Sequence, residues 1–272
     1  MTAPPRFPQT LFDEIILKSR RQRRRIETDI VHGQLSAIVS MLSGIAKLDG
    51  MILQRALVEA IKLHPDYEIL WRPRIPITEG AEQVAATHDY ETWLGPDADL
   101  PFGGPVRSMV EVDFIVINRI TGNAIAYECK RGGACDSGKR SKIIDNLFRV
   151  KLVLAKYLVD LRNREPTKIQ TEVKSADVRL IVYYGNWQLK PITTINRHTI
   201  DAHFGIPVTP LVSMAADLMR QEMTTNLLPF LEGLLNGLVA QSADPQTAPN
   251  RTDLAALLTR TLNMLQPVEG AV

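Results

Sequence analysis

Three residues near the middle of the chain have types and spacing suited to chemistry: Asp113, Glu128 and Lys130. They lie in SMVEVDFIVINRITGNAIAYECKRG, Ser108 to Gly132, where charged side chains interrupt strongly apolar extended runs. Val110, Val112, Phe114 and Val116 alternate with Glu111, Asp113, Ile115 and Ile117; Arg119 to Asn123 supply turn chemistry around Gly122; Ala124 to Cys129 resume the extended pattern. The pattern predicts a β-hairpin. Alternation puts Glu128 and Lys130 on one face and Ile125, Tyr127 and Cys129 on the other. A short turn would set Asp113 opposite Lys130 or Glu128, or on the diagonal, roughly 5–8 Å away between Cβ atoms. Half-buried charges cost free energy unless they are paired or bound to a metal, so two carboxylates and an amine at one end of a hairpin suggest a site. Two carboxylates can hold a hard divalent cation whose other positions go to water and phosphate oxygens. Lys130, as an ammonium, would stabilise negative charge developing on a phosphate; desolvated, it would orient or deprotonate an attacking water.

The surrounding elements must carry this cluster. Leu11 to Ile30 reads as a helix with an apolar start and an arginine-rich end, Gln34 to Lys47 and Met51 to Leu63 as two amphipathic segments, with Glu59 near the boundary of the second one's apolar face. Tyr67 to Ile75 predicts a strand broken by Pro73 and Pro76, and Thr78 to Arg107, anchored by Trp93 and Phe102, an irregular insertion of a length that is often functional. After the hairpin, Ser137 to Arg164 is the longest helical pattern, with Ser137 as a candidate N-cap, and Val178 to Tyr184 a buried strand. A further short strand is expected between Thr199 and Val208, and helix over Leu211 to Leu228, kinked at Pro229. Gln241 to Asn250 reads as a linker before a terminal amphipathic helix that needs a partner surface.

Composition is that of an ordinary soluble protein of 272 residues, with 32 Lys plus Arg against 30 Asp plus Glu, and the net charge of +2 does not announce nucleic acid. The distribution says more. Lys18 to Arg25 holds six basic residues in eight, Arg23, Arg24 and Arg25 among them, and Lys130, Arg131, Lys139, Arg140 and Lys142 form a second set. Lys142, Arg149 and Lys156 recur every seven residues and share a helix face. Such a stripe is usually a solvated face; beside a phosphate site, Lys139, Arg140 and Lys142 are the better candidates for backbone contacts. Two cysteines, Cys129 and Cys135, give neither a disulfide framework nor a zinc knuckle, and no signal peptide or membrane span is apparent, so a cytoplasmic protein is expected. His198 and His203 around Asp201 fit no zinc spacing well and are expected to make structural hydrogen bonds.

Asp113 followed by Glu128-Cys129-Lys130 resembles the signature of the PD-(D/E)XK nuclease superfamily, with Val112 where that signature has proline, a position that ligates nothing. The resemblance covers roughly Met51 to Val212. It implies an α/β fold with a restriction-endonuclease-like core: a helix, three antiparallel strands, a helix and a further strand, in a mixed central sheet flanked by helices. The expected organisation is a basic helical extension over 1–48, a core over 49–212 and a helical region over 213–272 with a linker near 241–250. The resemblance further implies a Mg²⁺-dependent DNA endonuclease, with Mn²⁺ able to substitute. Asp113, Glu128 and Glu59 would be the metal ligands, Lys130 the catalytic amine, and Lys139, Arg140, Lys142, Arg149 and Arg23 to Arg25 the DNA contacts. Homodimerisation would suit a two-stranded substrate.

A second tripeptide, Glu172-Val173-Lys174 with Asp160 upstream, lacks strand context and is set aside. Blander readings stand beside these. Asp113 and Lys130 would otherwise form a cross-strand salt bridge, Glu59 would be a solvated helix residue, and Glu111 is the rival third acid. Two other functions compete: a catalytically silent DNA-binding module, and a helical adaptor for a protein partner.

Overall fold

The computed structural model describes residues 36–87, 103–132, 137–185, 187–190 and 192–222, with isolated positions elsewhere. The arginine cluster at Arg23 to Arg25, Trp93, Phe102, Cys135, the linker near 241–250 and the terminal helix lie outside these residues. The chain divides into two compact units, Leu57–Thr209 and a second made of Met1–Ala56 and Pro210–Val272.

Helix α1, Ser36–Ile61, is continuous where two segments were expected; Gly50 costs helix stability but does not interrupt it. At its end Leu57, Val58 and Ile61 are fully buried. Strands β1, Tyr67–Trp71, and β2, Arg74–Thr78, are followed by α2, Glu79–Thr87, and β3, Val106–Glu111. The expected irregular insertion is thus partly regular: its ends belong to β2 and β3, and α2 follows β2 directly. Strands β4, Phe114–Asn118, and β5, Asn123–Lys130, precede the long helix α3, Ser137–Arg164, and strand β6, Ser175–Val182. A two-residue strand β7, Thr194–Ile195, and a short helix α4, Ile200–Phe204, occupy the region where a strand over Thr199 to Val208 was expected. Helix α5, Val208–Glu222, is the last element with a full range among the described residues.

The fold is α/β, with a mixed five-stranded sheet in the order β1-β4-β5-β6-β7. β4 runs antiparallel to both of its neighbours, β1 and β5, while β6 runs parallel to β5 and β7 parallel to β6. A second sheet pairs β2 with β3. Ile115, Ile117, Ala124, Ala126, Val178, Leu180 and Val182 project from one face into a core completed by Leu147, Phe148, Val150, Leu154 and Leu158 of α3. The other face carries Phe114 and Tyr127, stacked at 5.0 Å, against Phe204 of α4. No helix among the described residues is long and apolar enough to cross a membrane.

The expected hairpin strand over Ser108 to Ile117 is two strands in two sheets. Trp71 pairs with Phe114 and Arg74 with Glu111, so a single antiparallel register runs through both sheets. This ribbon bends where Arg72 and Pro73 face Val112 and Asp113. Arg72 has the left-handed φ of 46°, uncommon for a residue other than glycine, and Pro73 cannot donate to a ladder. Bonds from Arg72 N to the Asp113 carbonyl, 3.0 Å, and from Val112 N to the Pro73 carbonyl, 3.3 Å, hold the bend. β4 and β1 stay in the main sheet while β3 and β2 leave it together. Asp113 stands at the fork.

Candidate functional site

Phe114 pairs with Tyr127, so one step further along the ladder Asp113 lies opposite Glu128. Its backbone N–H still donates to the Tyr127 carbonyl, 3.1 Å. Beyond that β3 has departed, and the Asp113 side chain takes over as acceptor: Oδ2 receives the Cys129 N–H at 2.6 Å. The fork therefore fixes the carboxylate through the backbone of the strand that carries Glu128 and Lys130. Those two share the face that bears Ala124 and Ala126, and Lys130 Nζ donates to Glu128 Oε1 at 2.5 Å. Cys129 points to the opposite, buried side.

Burial raises the Asp113 carboxyl first, and the neighbouring Glu128 charge raises it further. The Cys129 N–H, Lys130 and Arg72 pull the other way, and the balance is a value pushed up from 3.8 to about 7. For Lys130, burial opposes the charge, yet the attraction and hydrogen bond of Glu128, with Asp113 adding, carry its ammonium above the ordinary value. Lys130 is thus held charged, chiefly by Glu128 and to a lesser extent by Asp113. Asp113 Oδ1 and Glu128 Oε2 are left over after these bonds, and both are hard oxygen donors.

Beside the pair opens a cavity of about 420 Å³. Val110, Glu111 and Val112 line it from one segment, Glu128, Lys130, Arg131 and Gly132 from another, and Lys139, Lys142, Ile143, Asn146 and Leu147 from α3, with Trp187 completing the lining. Gly132, at φ 133°, lets this happen: a Cβ there would stand 2.6 Å from Gly185 N, so only glycine permits the chain before Trp187 to approach β5.

The sequence-predicted residues divide into groups. Asp113, Glu128 and Lys130 come together, and Lys139 and Lys142 line the cavity that Glu128 and Lys130 also line. Arg140 stacks its guanidinium 5.6 Å from the Trp187 ring centroid. Arg149 is turned elsewhere: its Nε donates to Glu82 Oε2 at 2.7 Å, bracing α3 against α2. Glu59 pairs with Lys62 at 2.9 Å. Among the described residues no group of three or more His, Cys, Asp or Glu side chains is placed to hold a metal, so neither Glu59 nor Glu111 completes a triad with Asp113 and Glu128. Glu111 lines the cavity but is bonded to Arg72. Glu172 to Lys174 lie in irregular chain, as their context indicated.

Trp187, Asn146 and Arg72 were not singled out from sequence. Asn146 had a signal, lying one turn after Lys142 on the same helix face. Arg72 and Trp187 had none, because their roles depend on a bend and a loop approach between distant segments.

His203 makes the structural bonds expected of it. Arg179, which can only donate, lies 3.0 Å from Nδ1, so Nε2 carries the proton and donates to the Tyr127 hydroxyl at 2.8 Å. Burial, aided by Arg179, lowers its pKa to about 4, and both ring nitrogens are engaged.

Comparison of the chain with family models, with curated proteins and with solved structures finds no match.

Proposed function

We propose that the protein is a metal-dependent nuclease of the restriction-endonuclease-like type, cutting DNA phosphodiesters at the Asp113, Glu128 and Lys130 cluster. One observation carries the reading: a fork in the sheet forces two carboxylates into opposition and sets an ammonium against one of them, an arrangement that costs stability unless a cation compensates it. The order of elements supports it too, since α1, the antiparallel β1, β4 and β5, then α3 and the parallel β6 follow the sequence of that fold.

Asp113 Oδ1 and Glu128 Oε2 would hold Mg²⁺ or Mn²⁺, leaving the other positions to water and phosphate. Such a cation lowers the pKa of a bound water and polarises the phosphorus centre. Lys130 neutralises charge gathering on the phosphate, and its raised pKa makes it an electrostatic partner rather than a general base at neutral pH. Lys139 and Lys142, one helical turn apart on the cavity wall, would hold the flanking phosphates.

The test is cleavage of plasmid and linear DNA with Mg²⁺ or Mn²⁺ by the wild type, Asp113→Ala and Lys130→Ala. Either change should lower the rate at least ~100-fold with the fold retained by circular dichroism. Cleavage by both variants at the wild-type rate would refute the assignment.

A further inference from the structure

The cavity beside the carboxylates is built for more than a sugar-phosphate backbone. A diester strand lying across the mouth of the site needs charge and hydrogen-bond donors, yet Val110, Val112, Ile143, Leu147 and Trp187 give much of this hollow an apolar lining. Its volume, about 420 Å³, lies within the ~300–1,000 Å³ range of sites that enclose organic ligands. In a regular duplex the bases are stacked inward and cannot enter it.

Polar groups in the cavity suit a nucleotide. Lys130, Arg131, Lys139 and Lys142 outnumber the two lining carboxylates, Glu111 and Glu128, and leave the cavity with an excess of positive charge, complementary to phosphate. Asn146 of α3 lines the cavity together with Ile143 and Leu147. A carboxamide offers a donor and an acceptor side by side, the pairing that reads the edge of a base. The Trp187 indole N–H is also buried without an acceptor among the described residues, and Arg140 stacked on its ring holds the indole as a wall.

Resting on the nuclease reading above, we infer that the site takes an unpaired nucleotide, its base enclosed between Trp187 and the Val110–Val112 wall with its edge on Asn146. The substrate class is then single-stranded DNA or duplex carrying an unpaired or extruded nucleotide, with intact duplex the poorer substrate.

The experiment compares cleavage with Mn²⁺ of one sequence presented as single strand, as perfect duplex and as duplex with a central unpaired nucleotide. A second series removes one base at a time from the single strand. Unpaired substrates should be cut about 10-fold faster or more than duplex, and one abasic position beside the cut should slow cleavage by a similar factor, as loss of stacking on an aromatic wall implies. Asn146→Ala and Trp187→Phe should each shrink the preference for unpaired DNA, and Asn146→Ala, a partly exposed helix position, should leave folding intact. Equal rates on duplex and unpaired DNA, or indifference to every abasic position, would overturn the inference while leaving the nuclease assignment standing. Absence of cleavage on all three substrates would overturn both.

Discussion

At Asp113, burial and the Glu128 charge act in the same direction, and the resulting pKa near 7 makes this residue a proton-linked group at physiological pH. The folded value lies above the unfolded one, so the folded chain holds the proton more tightly. The stability this contributes is fully present below about pH 4 and is lost as pH rises through about 7. In the absence of divalent cation, denaturant unfolding should therefore show this part of stability falling between about pH 4 and pH 7, and Asp113→Asn should flatten that fall. An unchanged slope in the variant would mean that Asp113 ionises as an ordinary surface acid. Lys130 adds no such slope near neutrality, because its ammonium is held above its ordinary pKa by Glu128 against the effect of burial.

Among the elements, α3 does two things with one face. Toward its start, Lys139, Lys142 and Asn146 line the cavity; further on, Arg149 turns to Glu82 and ties α3 to α2, while Ser108 of β3 donates to the same carboxylate. The seven-residue stripe that joins Lys142, Arg149 and Lys156 in sequence is thus divided in function. Arg149→Ala should cost stability, about 1 kcal/mol for a half-exposed charged pair, while leaving the salt dependence of DNA binding unchanged. Lys142→Ala should do the reverse, lowering the slope of log affinity against log salt by up to ~1. Fluorescence anisotropy across a salt series, with chemical denaturation alongside, separates the two. The turn from β4 to β5 shows how tightly the other side is built: Asn118 Oδ1 accepts from Ile120 N and Thr121 N, and Gly122, at φ 75°, approaches the Glu172 carbonyl so closely that a Cβ would stand 2.6 Å from it.

For the whole molecule, the local patterns were legible and the long-range departures were not. Period-two alternation around Phe114 to Lys130 gave the strands, the faces of Glu128, Lys130 and Cys129, and the approximate place of Asp113, because a side chain's face depends only on its own strand. The peeling of β3 was hidden. Val110 to Ile117 alternates without a break, and what ends the pairing with β5 is the bend at Arg72 and Pro73, some forty positions earlier. Continuity of α1 across Gly50 was missed because a helix held by tertiary burial tolerates the propensity cost of one glycine. Glu59 and Arg149 looked available on helical wheels, where the partners Lys62 and Glu82 carry no special mark.

Calorimetric titration of the full chain with Mn²⁺ tests the central claim most directly, that Asp113 and Glu128 form one cation site. The wild type should bind Mn²⁺ at pH 8, bind more weakly at pH 6 with release of a proton from Asp113, and lose binding in both Asp113→Asn and Glu128→Gln. Equal Mn²⁺ affinity in the wild type and both variants, or no binding by the wild type at pH 8, would contradict it.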